Sequence, residues 1–243
     1  MLTDLTSLDS LGWEALKEAL NQRVVLDHVK FVPSKRNRVW IVETDVRPVV
    51  VKMFLSGKCG VEFENLLQAK RVGLEVPLPL AKSGDYLVTE YVPGESCETL
   101  INHLFSAKAA EGMGGWLAAF HLKLKIDGSP RVMGDAVPSN FILLNGSVCG
   151  VDLEDSAEGD PLEDIGQLAS SFLGSEPFFT PIKFDLCFRM ISSYEKATQT
   201  EVLDKVRPYV SKHLQLDAKS RPLFRRTLIG AAHSIENHWP KLA

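Results

Sequence analysis

The sequence lacks several features that mark particular classes of protein. Its 243 residues include four cysteines, which lie far apart and form no C-x-x-C pair, so they are too few to hold the chain together by disulfides. No apolar run approaches the ~18 to 20 residues that span a bilayer, and residues 1–4 lack the basic start of a signal peptide. We therefore expect reduced cysteines, no membrane span and a cytoplasmic location.

An excess of positive charge is also missing. Lys and Arg number 27 against 31 Asp and Glu, which gives a formal net charge of −4, so no overall basic field attracts nucleic acid or an anionic membrane. The chain contains no internal repeat or low-complexity tract. What it does contain is 45% hydrophobic residues, enough for a sizeable core. A globular protein without a nucleic-acid partner is expected, and nothing in the sequence sets an oligomeric state.

Hydrophobic patterning separates a β-rich first part of the chain from a helical second part. The first part is predicted to contain a helix around Trp13, strands over 24–32, 39–44 and 49–54, a helix over 61–72 and a strand over 86–89. The second part is predicted to contain helices over 113–124, 161–172, 184–196, 201–213 and 221–238. The composition changes after Gly94, so the fold class is α+β with domains at 1–93 and 94–243.

A predicted β-hairpin is the most informative local feature. Asn145-Gly146 stands between two apolar runs, and both central residues of a type I′ turn need positive φ. Residues 141–144 should therefore pair with residues 147–150. Counting outward from the turn places Asn140 beside Asp152 at the open end of the hairpin.

This register predicts an amide oxygen and a carboxylate close together, with Asp135 on the segment that leads into the hairpin. Oxygen ligands of this kind suit Mg²⁺, which completes its coordination with phosphate and water. The pattern indicates a site for a metal ion and a nucleotide phosphate. The alternative interpretation is that Asp135 and Asn140 are ordinary turn residues and that Asp152 begins a loop.

Several short motifs follow one another in a fixed order around this hairpin. The chain reads Leu117-Ala118-Ala119-Phe120-His121, Met133-Gly134-Asp135 with Asn140, Val151-Asp152-Leu153, and Gly159-Asp160-Pro161-Leu162-Glu163-Asp164. This order resembles the aminoglycoside phosphotransferase and choline kinase-like branch of the protein-kinase-like fold, which carries L-A-x-L-H, H-G-D-x-x-x-x-N, I-D-x and G-D-P-x-x-D.

The resemblance implies a bilobal kinase-like fold, with a small antiparallel β lobe that binds nucleotide and a larger helical lobe for catalysis and acceptor binding. It implies transfer of the γ-phosphate of ATP, with Mg²⁺, to a hydroxyl of a small molecule. Asp135 is then the catalytic aspartate that orients the acceptor hydroxyl, and Asn140 and Asp152 are the metal ligands. The stretch between Asp152 and Pro161 is too short for the activation segment on which protein kinases dock peptides.

Structural roles are expected for three further residues, of which only that of Asp164 is implied by the resemblance. Asp164 braces the catalytic loop, and His121 is a core residue near that loop. Asp160 precedes Pro161 and is followed by Glu163, which predicts a helix N-cap in a capping-box pattern.

A lysine on the third strand is expected to reach the phosphates, oriented by a helix glutamate. Lys52 is that candidate, and its alternative interpretation is an edge-strand lysine that faces water. Glu62 and Glu64 compete as its partner. Helical spacing places Glu62 on one face with Leu66 and Ala69, so Glu62 is predicted to point inward.

Other nucleotide contacts are assigned by order along the chain. Glu90, Tyr91 and Val92 correspond to the hinge whose backbone groups bond an adenine. Ser34 and Arg36 lie in the turn between the first two strands, where they either meet phosphate or are solvated. The acidic residues Glu154, Asp155 and Glu158 either attract a cationic acceptor or form a solvated loop.

Two departures from the family pattern keep other functions open. The turn at 33–38 has no G-x-G-x-x-G motif, and Met133 replaces the usual histidine. One alternative is a kinase for lipopolysaccharide-core sugars or a small atypical protein kinase. Another is a pseudokinase that acts as a nucleotide- or partner-binding module.

Overall fold

The computed structural model describes residues 10–21, 26–32, 34 and 36–239, and these form two compact units. The first unit comprises Met1–Pro93 together with Asp152–Glu154, and the second comprises Gly94–Val151 and Asp155–Ala243. The start of the first predicted strand, at Val24 and Val25, lies outside the described residues.

An antiparallel sheet of five strands forms the centre of the first unit. The strands are β1 (Leu26–Val32), β2 (Asn37–Thr44), β3 (Val49–Phe54), β4 (Pro79–Ser83) and β5 (Tyr86–Glu90), in the order β1-β2-β3-β5-β4. The three strands predicted before residue 55 and the one near residue 86 are confirmed. The sequence analysis does not predict β4. This strand begins at Pro79, which has no backbone N–H to donate to a neighbouring strand, and its other residues form a weak β pattern.

Two helices pack with this sheet, α1 (Ser10–Ala19) and α2 (Cys59–Arg71). Leu16 of α1 is fully buried in a cluster that includes Trp40 and Val51 from the sheet, and burying a leucine contributes roughly 1.5–3 kcal/mol. α2 ends before Gly73, which has a φ of +71° and whose N–H donates to the carbonyl oxygen of Lys70.

The second unit is mainly helical. Its helices are α3 (Cys97–Asn102), α4 (Ala107–Lys123), α5 (Pro161–Leu173), α6 (Pro181–Thr198), α7 (Leu203–Ser220) and α8 (Arg225–His238). The five helices predicted after Gly94 are confirmed, and α3 is an addition. α4 and α6 approach closely at Gly114, where a Cβ atom would lie 2.0 Å from the carbonyl oxygen of Met190. None of the helices in the described ranges is long and apolar enough to cross a membrane.

Two small sheets complete the second unit. Their strands are β6 (Glu95–Ser96), β7 (Lys125–Ile126), β8 (Ser129–Val132), β9 (Phe141–Leu144), β10 (Ser147–Gly150) and β11 (Ala157–Glu158), in the orders β10-β9-β6 and β11-β8-β7. The predicted hairpin is β9–β10, and its register is confirmed, with Leu144 opposite Ser147. Asn145 and Gly146 have φ values of 51° and 91°, as a type I′ turn requires.

Candidate functional site

A buried cluster of charged side chains surrounds Lys52 in the first unit. The Nζ atom of Lys52 lies 2.7 Å from Oδ1 of Asp152, 2.9 Å from Oε2 of Glu62 and 3.4 Å from Oε2 of Glu154. Lys52, Glu62 and Glu154 are buried, whereas the side chain of Asp152 is 35% exposed. Asp152 is therefore the carboxylate of this cluster that a ligand can reach.

Secondary structure places the two ends of the Lys52–Glu62 pair. Lys52 lies on β3 between β2 and β5, opposite Val39 on one side and Leu87 on the other, so the edge-strand interpretation is wrong. Glu62 lies in the first turn of α2. Glu64 is exposed, so the structure pairs the lysine with the glutamate that helical spacing favours.

The charges of this cluster are strongly coupled. Burial by itself lowers the pKa of Lys52, but the carboxylates of Glu62 and Asp152 outweigh burial and hold that pKa above its ordinary value. Burial raises the pKa of Glu62, with Lys52 opposing the change and Asp152 adding to it. Lys52 is therefore a cation at physiological pH.

The donor set of this cluster fits a hard divalent cation. Carboxylate oxygens of Glu62, Asp152 and Glu154 lie within 4.8 Å of one another, and Mg²⁺ and Ca²⁺ prefer oxygen ligands. Three carboxylates face one ammonium group, so negative charge is in excess when all are ionised. A cation next to the exposed Asp152 would offset that excess.

The backbone at Asp152 has an uncommon conformation. Its φ is +64°, in the left-handed region that residues other than glycine seldom adopt. The carbonyl oxygen of the next residue, Leu153, accepts a hydrogen bond of 2.7 Å from Nδ2 of the buried Asn65. Strained residues held in this way cluster at functional sites, so the conformation is a second indication that Asp152 has a functional role.

The sequence analysis did not assign Glu154 to this cluster. Its two predicted roles were attraction of a cationic acceptor and part of a solvated acidic loop. Both are wrong, because Glu154 is buried and only 5% exposed. Its Oε2 atom accepts a hydrogen bond of 2.8 Å from Nδ2 of Asn37 at the start of β2. No local pattern in the sequence signals this pairing. Glu158, in contrast, is exposed as the solvated-loop interpretation predicts.

In the second unit, Asp135 lies on an irregular segment that ends in a 3-10 turn, Pro138–Asn140. Nδ2 of Asn140 donates to the carbonyl oxygen of Asp135 at 2.9 Å and approaches its Oδ2 atom at 3.4 Å. The backbone N–H of Val151 donates to the carbonyl oxygen of Asn140, which confirms the predicted pairing at the open end of the hairpin. Because the amide nitrogen of Asn140 serves the loop, Oδ1 is its atom that suits a metal ion. The proximity of the Asn140 and Asp152 side chains stays a prediction.

Asp164 of α5 braces this segment, as expected. Its carboxylate accepts hydrogen bonds from the backbone N–H of Met133 at 2.5 Å and of Gly134 at 3.0 Å. Nε2 of His121 lies 3.1 Å from the same carboxylate, and Nδ1 of His121 lies 3.0 Å from the hydroxyl of Tyr194. His121 is buried, so the prediction of a core histidine near the loop is confirmed.

The Gly-Asp motif has a steric basis at its glycine. Gly134 has a φ of +80°, and a Cβ atom there would lie 2.4 Å from the carbonyl oxygen of Asp155. Met133 before it is fully buried, and its N–H is held by Asp164. The methionine therefore replaces histidine without leaving the backbone of the loop unbraced.

The N-terminus of α5 shows one correct prediction and one error. Asp160 is the N-cap, since its side chain accepts from the N–H of Leu162 at 3.0 Å. The capping-box part of that prediction is wrong. Glu163 turns to α7 instead, where its carboxylate meets Lys212 at 2.5 Å and His213 at 3.1 Å.

The remaining predicted contacts lie on two short segments of the first unit. Ser34 and Arg36 are exposed in the turn before β2, and Oγ of Ser34 accepts from the N–H of Asn37. The predicted hinge begins at Glu90, whose N–H is bonded to the carbonyl of Leu78, so an adenine contact of Glu90 must involve its carbonyl. The other two hinge residues are Tyr91, partly exposed, and Val92, buried. Their contacts with a nucleotide stay predictions.

Three solved structures have a fold similar to that of this chain. The amicoumacin kinase hAmiN, in complex with AMP-PNP, Ca²⁺ and Ami, matches with a TM-score of 0.66 and 13% identity, over 87% of this chain and 89% of that chain. The choline kinase LicA from Streptococcus pneumoniae matches with a TM-score of 0.64 and 18% identity, over 92% and 98%. ADP-bound aminoglycoside phosphotransferase APH(2″)-Ib matches with a TM-score of 0.61 and 14% identity, over 95% and 97%.

These likenesses establish the fold. Neither a family model nor a curated protein sequence matches this chain. The structural matches nevertheless cover nearly the whole chain and nearly the whole of each neighbour. The predicted α+β, protein-kinase-like fold of the aminoglycoside phosphotransferase and choline kinase-like proteins is therefore confirmed.

Proposed function

We propose that this chain is a phosphotransferase that moves the γ-phosphate of ATP, with Mg²⁺, to a hydroxyl group of a small molecule. The observation that carries the proposal is the buried Lys52–Glu62 pair next to the partly exposed Asp152. Support also comes from two of the fold neighbours, one solved with AMP-PNP and Ca²⁺ and the other with ADP.

In this proposal the first unit holds the nucleotide phosphates. Transfer of a phosphoryl group depends chiefly on positioning and on neutralising negative charge. Lys52 supplies a positive charge, because its two nearest carboxylates keep its amine protonated. Glu62 fixes the position of that charge. Asp152 and Asn140 would hold Mg²⁺, which supplies charge neutralisation at the phosphates.

Asp135 is the proposed catalytic residue for the acceptor. An aspartate that accepts the proton of a hydroxyl must be held in one orientation, and the contacts of Asn140 fix both the backbone and the carboxylate of Asp135. In this role Asp135 would orient the acceptor hydroxyl and take its proton as the phosphoryl group is transferred.

A small acceptor is favoured by the segment that follows Asp152. This short segment is tied down before α5 begins, because β11 pairs with β8 and Oγ of Ser156 donates to the carbonyl oxygen of Val132 at 2.9 Å. It offers no long, extended surface on which a peptide could dock. We therefore propose a small molecule, such as a sugar or an amino alcohol, as the acceptor.

The test is a thermal-unfolding midpoint with and without millimolar ATP plus Mg²⁺. A ligand at a hundredfold excess over its Kd stabilises the native state by about 2.7 kcal/mol. Wild type should gain stability only when metal and nucleotide are both present, and Asp152→Ala should lose that gain. Glu158→Ala, which removes an exposed carboxylate of β11, is the matched control and should behave as wild type. No metal-dependent shift in wild type would overturn the nucleotide site.

A second measurement separates an enzyme from a pseudokinase. Slow release of phosphate from ATP, dependent on Mg²⁺ and lost in Asp135→Ala, supports an enzyme. Binding of ATP without Mg²⁺-dependent release of phosphate supports a pseudokinase that acts as a binding module. The pseudokinase alternative depends on Met133 and on the turn at 33–38, which has no glycine motif. The N–H of Met133 is nevertheless bound by Asp164, so the first of these departures leaves the backbone of the loop held in place. A screen of sugars, amino sugars and amino alcohols then separates a lipopolysaccharide-core sugar kinase from the other small-molecule kinases.

A further inference from the structure

Residues 133–140 carry Asp135 and form the catalytic segment of the proposed site. Helix α5 presents a second polar side chain to this segment, three residues beyond Asp164. Nε2 of Gln167 donates to Oδ1 of Asp135 at 3.0 Å, and Oε1 of Gln167 accepts from the backbone N–H of Ala136 at 2.9 Å. Residues three apart lie on the same face of a helix. Asp164 and Gln167 therefore meet the catalytic segment side by side.

Asp164 and Gln167 together bind four consecutive residues, 133–136. Asp164 accepts from the N–H groups of Met133 and Gly134. Gln167 accepts from the N–H of Ala136, two residues beyond Gly134, and donates to the side chain of Asp135 between them. One face of one helix thus fixes both the backbone of the segment and the carboxylate that it carries.

The amide of Gln167 satisfies both of its partners. One partner is a carboxylate, which accepts hydrogen bonds, and the other is an N–H, which donates one. A glutamate at this position would still accept from Ala136 but would place a second carboxylate about 3 Å from Asp135, where like charges repel. A methionine would have nearly the same length and could make neither hydrogen bond.

We propose that Gln167 is a positioning residue for phosphoryl transfer, which acts by fixing the rotation of the Asp135 carboxylate. The inference rests on the proposed function, since it assigns Gln167 a role in the same site. In this role Gln167 contacts the carboxylate of Asp135 and is assigned no contact with the nucleotide or the acceptor. Its effect on rate comes through Asp135, because displacement of a catalytic group by about 1 Å can slow a reaction on the order of 100-fold.

The test compares Gln167→Met and Gln167→Glu with wild type in Mg²⁺-dependent phosphate release from ATP. Both variants should lower kcat by roughly 10- to 100-fold with KM for ATP within about twofold of wild type, because the nucleotide cluster around Lys52 belongs to the first unit. Gln215→Met is the matched control, since it alters an exposed glutamine on α7, and it should leave both constants unchanged. Should Gln167→Met fail to fold, Gln167→Asn shortens the same amide by one methylene and gives the same readout.

A double-mutant comparison separates positioning from a merely structural role. If Gln167 acts through Asp135, then Gln167→Met will not slow the residual rate of Asp135→Ala any further. A further loss in that background, or a kcat of Gln167→Met within about twofold of wild type, would overturn the inference while the proposed function stands. Wild type that releases no phosphate with Mg²⁺ and ATP would overturn both.

Discussion

Asn37 and Glu154 are joined by a hydrogen bond of 2.8 Å although 117 positions separate them in the sequence. Asn37 also accepts, through Oδ1, from the N–H of Leu55 just after β3. Glu154 in turn lies 3.4 Å from Lys52. One buried amide therefore links the start of β2, the end of β3 and the carboxylate cluster that surrounds the lysine.

This link predicts that Asn37→Asp destabilises the first unit more than Asn37→Ala does. Alanine removes the hydrogen bond to Oε2 of Glu154, which then has Lys52 as its remaining partner. Loss of this buried hydrogen bond should lower the free energy of unfolding by about 1–3 kcal/mol. Aspartate places a second carboxylate against Glu154 and adds repulsion to that loss. Urea unfolding at neutral pH measures both variants. Equal stabilities of the two variants would show that the Asn37–Glu154 contact does not form in solution.

The two glutamates of α2 offer a matched pair for the Lys52 cluster. Glu62→Gln removes the charge that orients a buried lysine, whereas Glu64→Gln alters an exposed side chain on the same helix. We expect Glu62→Gln to slow Mg²⁺-dependent phosphate release by about tenfold or more and Glu64→Gln to leave the rate unchanged. Initial rates at saturating ATP measure this difference. A reversed order of the two effects would mean that Glu64 and not Glu62 orients the lysine.

Local patterns predicted the parts of the structure that depend on near neighbours. The register of the β9–β10 hairpin follows from the single Asn145-Gly146 turn, and the inward face of Glu62 follows from helical spacing. The fold itself was predicted from the order of several motifs. Asp160 was predicted as an N-cap, because capping depends on the few residues that follow it.

Contacts between distant parts of the chain could not be predicted in the same way. Glu154 lies in an acidic stretch that is typical of a solvated loop, and only its pairing with Asn37 shows that it is buried. Gln167 contacts a residue 32 positions away, and nothing in the local sequence distinguishes it from any helix glutamine. Glu163 matches a capping box, but Lys212 and His213 of α7 bind its carboxylate instead and determine where it lies.

The brace of the catalytic segment predicts a large loss of stability for Asp164→Asn. The buried carboxylate of Asp164 accepts from two backbone N–H groups and contacts His121, and an asparagine would turn one of these oxygens into a donor facing another donor. The cost should be about 3 kcal/mol, as for a buried charged group that loses its partners. Asp160→Asn is the control, because asparagine is an equally good N-cap and the second contact of Asp160, with the hydroxyl of Tyr209, is exposed. It should cost about 1 kcal/mol or less. Chemical denaturation measures the free energy of unfolding of both variants. Equal losses would show that Asp164 does not hold the catalytic segment in place.

Lys183 provides a prediction about pH. This lysine at the start of α6 is fully buried, and its Nζ atom donates to Oδ1 of Asn102 and to Oγ of Ser175 at 3.0 Å. Within the ranges that the structure describes, Lys183 has no carboxylate within 4 Å. Burial without an anionic partner lowers its pKa from 10.5 to about 8. Lys183 therefore carries a charge in the native state only at lower pH than in the unfolded chain.

The sign of the effect on stability follows from this difference. Below about pH 8 the amine is protonated in both states and the native state bears the full cost of a buried charge. Between about pH 8 and 10.5 the native state loses the proton first, so the free energy of unfolding should rise with pH relative to a variant without the amine. Urea unfolding of wild type and Lys183→Met across pH 7 to 10.5 measures the difference. Taking that difference cancels the opposing titration of buried thiols such as Cys97, whose pKa burial raises to about 12. A difference that stays flat across this range would show that Lys183 keeps its proton in the native state, and that Asn102 and Ser175 solvate the charge well enough to offset its burial.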